Sequence, residues 1–332
     1  MHGLPQPLVG LITHSGHEPG QRRHAGQPHG TGLEASDHVP AELLEIVYGP
    51  TVEDLFGGAA LYYARYRPGY GEATIGHLAR AFEAGGRVLD LGCGPGTIAV
   101  PLARKVKTVL AVDPAEEMLA EGRRLAGGVT NIAWVRGDST TLRALPPFDH
   151  VVMGRSFHWM DRRAVLAELE ELLPPGSAVA VIGPARQPGE PWQPAAQPWQ
   201  PVERRVCEEF GLDIHTAANS FHATGEHHRD VLAASSFSDV ESRVFARRLT
   251  WDADALIGLQ LSYSYSSPAR LGDQLPAFVD ALREALLADN PAGRWEQVLV
   301  TEVLVARRPR RPAPGGGRKA EATSERRSTR RS

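Results

Sequence analysis

Three glycines at alternate positions, Gly92, Gly94 and Gly96, separate the apolar run Arg87-Val88-Leu89-Asp90-Leu91 from a second run, Thr97-Ile98-Ala99-Val100. Glycines so spaced leave backbone N–H groups uncovered and let a ligand lie against the main chain, which side chains would hinder. Asp90, at the end of the first run, stands where a carboxylate can meet a ligand's ammonium group. The spacing is Gly-x-Gly-x-Gly rather than the dinucleotide fingerprint Gly-x-Gly-x-x-Gly, because Thr97 fills the place of the third glycine. Two more acids close apolar runs further along. Asp113 follows Thr108–Val112, about 20 residues past the glycines, where nucleoside-binding folds hold ribose hydroxyls. Asp138, followed by Ser139, comes after Ile132–Arg136; it can accept from an adenine amino group, or simply cap the next turn. Past a fourth run, Phe148–Met153, come His158 and Trp159. A histidine titrates near pH 6.5 when unperturbed, so His158 is the candidate base; its plain alternative is a hydrogen bond to ligand or backbone.

Each of these residues ends an apolar run, so strands must carry them. Amphipathic stretches alternate with the runs: 73–82, 97–105 with Pro101 inside, and 162–173 behind an N-cap at Asp161. That alternation predicts an α/β fold with a doubly wound, largely parallel sheet, whose ligand crevice lies outside the strands' carboxyl ends. A fifth strand is expected over 177–182, a sixth over 240–249 and a last over 296–305, with helices over 202–210, 252–265 and 275–287 between them. Ahead of the first strand, Leu61-Tyr62-Tyr63-Ala64-Arg65-Tyr66-Arg67-Pro68-Gly69-Tyr70 is dense in aromatic and basic residues, and Pro68 must end the helix before it. After the fifth strand, Pro191-Trp192-Gln193-Pro194 and Pro198-Trp199-Gln200-Pro201 read as an insertion able to form a lid wall.

Composition limits the folded part. Residues 1–45 hold six of the thirteen histidines and no sustained apolar period, so they are expected to be a disordered leader. Residues 307–332 hold ten Lys and Arg against two acids, a net of +8, and are expected to be a disordered basic tail. The remaining 306 residues carry a net charge of −11, which argues against a nucleic-acid substrate. Two cysteines, Cys93 and Cys207, make neither a disulfide framework nor a zinc site, and no metal is expected. No window approaches the apolar length of a membrane span, so the expected location is the cytoplasm, as monomer or homodimer.

The glycine turn with Asp90 before it, the acids at Asp113 and Asp138, and the phrase Gly154-Arg155-Ser156-Phe157-His158-Trp159-Met160-Asp161 resemble the class I S-adenosylmethionine-dependent methyltransferases, in particular the small-molecule, trans-aconitate-methyltransferase-like group. The resemblance covers roughly 52–305. It implies a Rossmann-like, seven-stranded sheet of order 3-2-1-4-5-7-6 with strand seven antiparallel, an N-terminal cap and a lid insertion after strand five. It divides 46–306 into a cap (52–84), a donor-binding half (85–183) and an insertion with the substrate half (184–306). It implies S-adenosyl-L-methionine as cofactor, held by Asp90, Gly92, Gly94, Gly96, Asp113, Asp138 and Ser139, and a cap whose Tyr63, Arg65 and Tyr66 close over the donor, with Trp159 beside the reaction. Tyr63, Tyr66, Tyr263 and Tyr265 are candidates to line the acceptor pocket. The acceptor is expected to be a small molecule. An NAD(P)-dependent dehydrogenase on a related sheet and a non-catalytic donor-binding protein are the alternatives.

Overall fold

The computed structural model describes residues 57–83, 86–185, 197–212 and 226–309. The expected leader, the tail beyond Pro309 and the first Pro-Trp-Gln-Pro copy lie outside the described residues. Seven strands form one sheet in the order β3-β2-β1-β4-β5-β7-β6. They are β1 (Arg87–Leu91), β2 (Thr108–Asp113), β3 (Ile132–Arg136), β4 (His150–Gly154), β5 (Ala178–Pro184), β6 (Asp239–Asp252) and β7 (Arg294–Arg307). The first five are mutually parallel, and β7 runs antiparallel to both β5 and β6.

The central strands are apolar at nearly every position because both faces of the sheet are covered. Val88, Val109, Ala111, Val152 and Ala180 point to one layer, with Ile75 and Leu78 of α2 (Glu72–Ala81) and Leu102 of α3 (Ala99–Ala103). Their neighbours Leu89, Leu110, Val112, Val151 and Val179 point to the other. There they meet Val165, Leu166 and Leu169 of α5 (Arg162–Leu172) and Val231 and Leu232 of α7 (His228–Ala233). α4 (Glu116–Ala126) joins β2 to β3. α1 (Ala60–Tyr66) precedes the sheet and packs on α4, with Ala60 and Tyr63 against Ala115 and Met118. A third core lies among α6 (Gln200–Glu209), α8 (Ala253–Gln260), α10 (Leu275–Asp289) and the outer ends of β6 and β7, where Trp251 and Trp295 are buried; the four-residue α9 (Pro268–Leu271) precedes α10.

Several boundaries differ from expectation for visible reasons. α3 is shorter than 97–105: the glycine turn runs on to Ile98, and Lys105 N–H bonds to Leu102 O at 2.8 Å, closing the last turn tightly. Pro101 does not kink it, because its missing donor falls in the first turn, where helix N–H groups have no intrahelical partner. The expected helix over 252–265 stops at Gln260, since Ser262 Oγ donates to Leu259 O (2.5 Å) and Ser266 Oγ to Gln260 O (2.6 Å). Strands β6 and β7 are each four residues longer than expected because they keep pairing with each other, from Asp239 opposite Arg307 to Asp252 opposite Arg294. Asp161 does cap α5, accepting from Ala164 N at 3.0 Å.

Two expectations are corrected here. Arg307, placed in the tail by composition, ends β7 and donates to Ala81 O (2.8 Å), and Arg308 donates to the carbonyls of Glu170 and Leu173 at the end of α5. Trp199, expected in a lid wall, is buried in the third core with its ring 6.0 Å from that of Trp251.

Candidate functional site

The order of the sheet puts the switch point at β1, whose neighbours β2 and β4 lead away in opposite directions. The residues that end β1 and β4, and the cap above them, therefore share one crevice. Gly92 and Gly96 have φ of +70° and +77°, where L side chains are strained. A Cβ on Gly92 would also lie 2.4 Å from Ser156 Cβ, and one on Gly96 2.5 Å from Trp134 Cη2. The sequence logic of uncovered donors is not what the turn uses. Gly92 and Cys93 N–H both bond to Val112 O, Gly94 N–H bonds to Asp113 Oδ2 (2.8 Å), and Gly96 N–H bonds to Cys93 O. The glycines provide room and shape, while their N–H groups are taken within the fold.

Asp90 is 1% exposed, and among the described residues neither carboxylate oxygen has a hydrogen-bond partner. Burial pushes its pKa up to about 7; the Ala99 N–H eases this without completing a hydrogen bond, and the neighbouring Asp113 charge adds to the rise. An uncompensated carboxyl in this position is costly unless something brings it donors or positive charge. Asp113 is better provided for. It accepts from Gly94 N and from Ala115 N (3.0 Å), which moderates the upward pull of burial on its pKa. Its carboxylate thus ties the glycine turn to the end of β2.

Asp138 is exposed, and its Oδ1 accepts from Thr140 N (2.8 Å) and Thr140 Oγ1 (2.6 Å), which is the turn-capping arrangement. Ser139 lies half-buried in that same turn. After β4, Ser156 Oγ donates to Leu91 O at 2.6 Å, fastening this segment to the end of β1. His158 and Trp159 follow in a single 3₁₀ turn, Phe157–Trp159, with their rings 5.2 Å apart and both half-buried.

The cap residues separate into three situations. Tyr63 lies over the glycine turn, its Cε1 3.9 Å from where a Gly94 Cβ would stand. Tyr66 instead packs flat on α8, where Gly258 has no side chain to obstruct it: a Cβ there would meet the ring at 2.2 Å. Arg65 is exposed, its guanidinium 5.2 Å from the Tyr66 ring centroid. Tyr66 is thus turned away from the glycine turn to pack the cap on the third core, with Arg65 beside its ring.

Other residues gather where the glycine motif alone gave no sign. Arg67 lies over Tyr263 (4.1 Å to the centroid) and Tyr63 (5.0 Å) and donates to Ser262 Oγ at 2.7 Å. Tyr263 and Tyr265 stack at 5.3 Å. Tyr70, buried, brings its hydroxyl to 2.8 Å from where a Gly154 Cβ would stand, beside the end of β4. Glu203 on α6 is buried, its Oε1 without a partner among the described residues, and burial pushes its pKa up to about 8. Among the described residues, no cluster of three or more His, Cys, Asp or Glu side chains could hold a metal, and no helix is long and apolar enough to cross a membrane.

Comparison with known proteins agrees with this geometry. Residues 88–176, which contain β1, the glycine turn and β4, match a family described as a methyltransferase domain. An uncharacterized methyltransferase of Mycobacterium tuberculosis is 29% identical over 244 residues, 71% of this chain and 87% of the relative. A trans-aconitate 2-methyltransferase of Methylobacterium nodulans is 36% identical over 108 residues, 31% of this chain and 41% of that protein. Among solved structures, a putative type II methyltransferase from Anaeromyxobacter dehalogenans aligns with 73% of this chain and 97% of its own at 21% identity and a TM-score of 0.45. The chain thus carries a match to a methyltransferase domain across 88–176, seated on a sheet of order 3-2-1-4-5-7-6 as the resemblance to the class I S-adenosylmethionine-dependent methyltransferases implied.

Proposed function

We propose that this enzyme transfers the methyl group of S-adenosylmethionine to a small-molecule acceptor held beneath the cap. The observation that carries the reading is Asp90: a buried carboxyl whose two oxygens have no partner among the described residues, beside a glycine turn whose shape excludes side chains. The donor's ammonium group supplies what Asp90 lacks, and on binding it Asp90 gives up its proton and becomes half of an ion pair. Asp113, already braced against Gly94 and Ala115, presents its carboxylate to the ribose hydroxyls. Asp138 and Ser139 border the adenine, with Asp138 retaining its bonds to Thr140. Tyr63 covers the turn from above and excludes water. When bound, S-adenosylmethionine supplies a sulfonium-activated methyl group whose in-line displacement discharges the donor's positive charge.

This chain's part is mainly to orient and to dehydrate. Where the acceptor must lose a proton, His158 in the turn after β4 accepts it, with Trp159 packed on its ring. The small-molecule assignment is supported by the cap, whose exit, residues 67–71, is tied to the substrate half by Arg67 donating to Ser262 and Arg247 donating to Gly69 O. The acidic folded part supports it by repelling nucleic acid. Titration calorimetry with S-adenosylhomocysteine and with NAD tests the donor. Binding of NAD instead of S-adenosylhomocysteine would replace the reading with a dehydrogenase, and donor binding without turnover of S-adenosylmethionine in a metabolite extract would reduce it to a donor-binding protein.

A further inference from the structure

The third core holds a buried carboxyl that the donor site does not use. Glu203 of α6 is 8% exposed, its Oε1 has no partner among the described residues, and no described cation offsets the rise that burial gives its pKa. One helical turn on, Cys207 shares its face of α6 and receives Gln260 Nε2, from the end of α8, at 3.2 Å. The same amide nitrogen donates to Ser266 Oγ at 3.1 Å, so its hydrogens are spent. Gln260 Oε1, in a residue 1% exposed, has no partner among the described residues. Two dry acceptor oxygens, Glu203 Oε1 and Gln260 Oε1, thus come from neighbouring helices without a donor for either.

Aromatic faces lie between these oxygens and the donor turn. Tyr263 and Tyr265 stack at 5.3 Å with their planes 10° apart, and the Glu203 carboxyl faces both phenols. The stack continues through Arg67, which lies over Tyr263 and Tyr63, to Tyr63 itself, which covers Gly94. A line of side chains therefore runs from the glycine turn to Glu203, and its charge is divided. Arg67 and Arg155, the latter with φ held at +56°, bring positive charge to Tyr263 from one side, and Glu203 is the acid that faces it. The remaining groups packed around Glu203 are neutral: the Cys207 thiol, which burial pushes up to about 12, and Phe278, Leu282 and Leu286 of α10.

A buried acceptor oxygen without a donor is costly, and two of them call for a ligand that brings several N–H groups. Ring faces beside them favour a cation. Resting on the methyltransferase reading above, we propose that the acceptor carries a protonated amine and that Glu203 and Gln260 receive it at the end of the tyrosine stack. On its arrival Glu203 releases its proton to solvent, one ammonium N–H pairs with the carboxylate so formed, and another donates to Gln260 Oε1. A hydroxyl in the same place brings one hydrogen and leaves one of the two oxygens unpaired.

The test uses the full-length chain saturated with S-adenosylhomocysteine, titrated calorimetrically at pH 7 and constant ionic strength with butylamine and phenethylamine. Butanol and 2-phenylethanol are the uncharged controls, and ammonium and potassium chloride supply simple cations. The expected result is saturable binding of at least one amine, at least tenfold tighter than its alcohol and than either salt. Titration in phosphate and again in Tris should show close to one proton released per amine bound, because in the empty site Glu203 keeps its proton up to about pH 8. Glu203→Gln should weaken amine binding at least tenfold and abolish the proton release, and Gln260→Leu should weaken binding at least threefold, with S-adenosylhomocysteine affinity within about twofold in both. Thermal melts establish that each variant is folded, and either variant alone suffices. The proposal is overturned by no amine binding to the wild type, by binding indifferent to both substitutions, or by simple cations binding as tightly as the amines. A tenfold loss of S-adenosylhomocysteine affinity in Glu203→Gln would also overturn it, by giving that carboxyl to the donor. Failure of S-adenosylhomocysteine to bind the wild type is a separate outcome that removes the methyltransferase reading itself.

Discussion

Replacing Asp90 by Asn should make the ligand-free protein more stable and at the same time unable to hold its donor. In the folded chain the Asp90 carboxyl keeps its proton up to about pH 7, whereas in the unfolded chain it ionises near 3.8. Between those values the folded state binds the extra proton, so raising pH through this window costs stability, at about 1.4 kcal/mol per pH unit. The full cost is absent below the unfolded value and complete above about pH 7, where it reaches about 4 kcal/mol as an upper bound. An amide at the same place carries no charge to desolvate, but its unpartnered polar atoms cost about 1 to 3 kcal/mol. Asp90→Asn should therefore gain about 1 to 3 kcal/mol over wild type at pH 8. The gain should shrink by about 2 to 3 kcal/mol at pH 5, because there wild-type Asp90 is already protonated in the fold. Denaturant melts of both proteins at the two pH values give the difference directly, and titration with S-adenosylhomocysteine should show binding lost in the variant. A variant less stable than wild type at pH 8, or a difference that does not change with pH, would refute the reasoning that an uncompensated buried carboxyl sits at the end of β1.

Three further outcomes follow from particular contacts. Asp113→Ala should weaken S-adenosylhomocysteine binding by about 1 to 3 kcal/mol and, because Gly94 N and Ala115 N lose their acceptor, should also lower stability by a similar amount in a denaturant melt. His158→Gln should lower turnover of an identified acceptor by about 10² to 10⁴ with S-adenosylhomocysteine affinity unchanged; a parallel loss of affinity would make the imidazole a donor contact rather than a base. Removing residues 1–45 and everything after Pro309 should leave the melting temperature within about 2 °C, whereas extending the cut to remove Arg307 and Arg308 should lower it by about 2 to 8 °C, since their bonds to Ala81, Glu170 and Leu173 are lost.

The fold was legible because the parallel strands are apolar on both faces, and runs such as Val109–Val112 and Val151–Met153 admit no other placement. The strand-end acids were legible for the same reason, since each interrupts such a run. Side-chain roles within the cap were not. Tyr63 and Tyr66 lie three residues apart on one helix, and only Gly258 on a distant helix reveals that Tyr66 is a packing residue. The glycine turn's donors were misjudged because Val112 O and Asp113, which accept from them, come from a strand some twenty residues on. Arg155 stood in the recognised phrase after β4, but a positive φ on a non-glycine residue leaves no trace in composition. Glu203 and Arg247 come from segments without a nameable motif; charged residues in otherwise half-buried elements were the available signal.

The most direct test of the central claim is calorimetric titration of the full-length chain with S-adenosylhomocysteine at pH 8, repeated on Asp90→Asn. Saturable binding to the wild type at one site per chain, absent from a variant that is folded and at least as stable, is the predicted result. Equal binding to both proteins would contradict the account, because it would place the donor's ammonium somewhere other than the buried carboxyl around which the site is built.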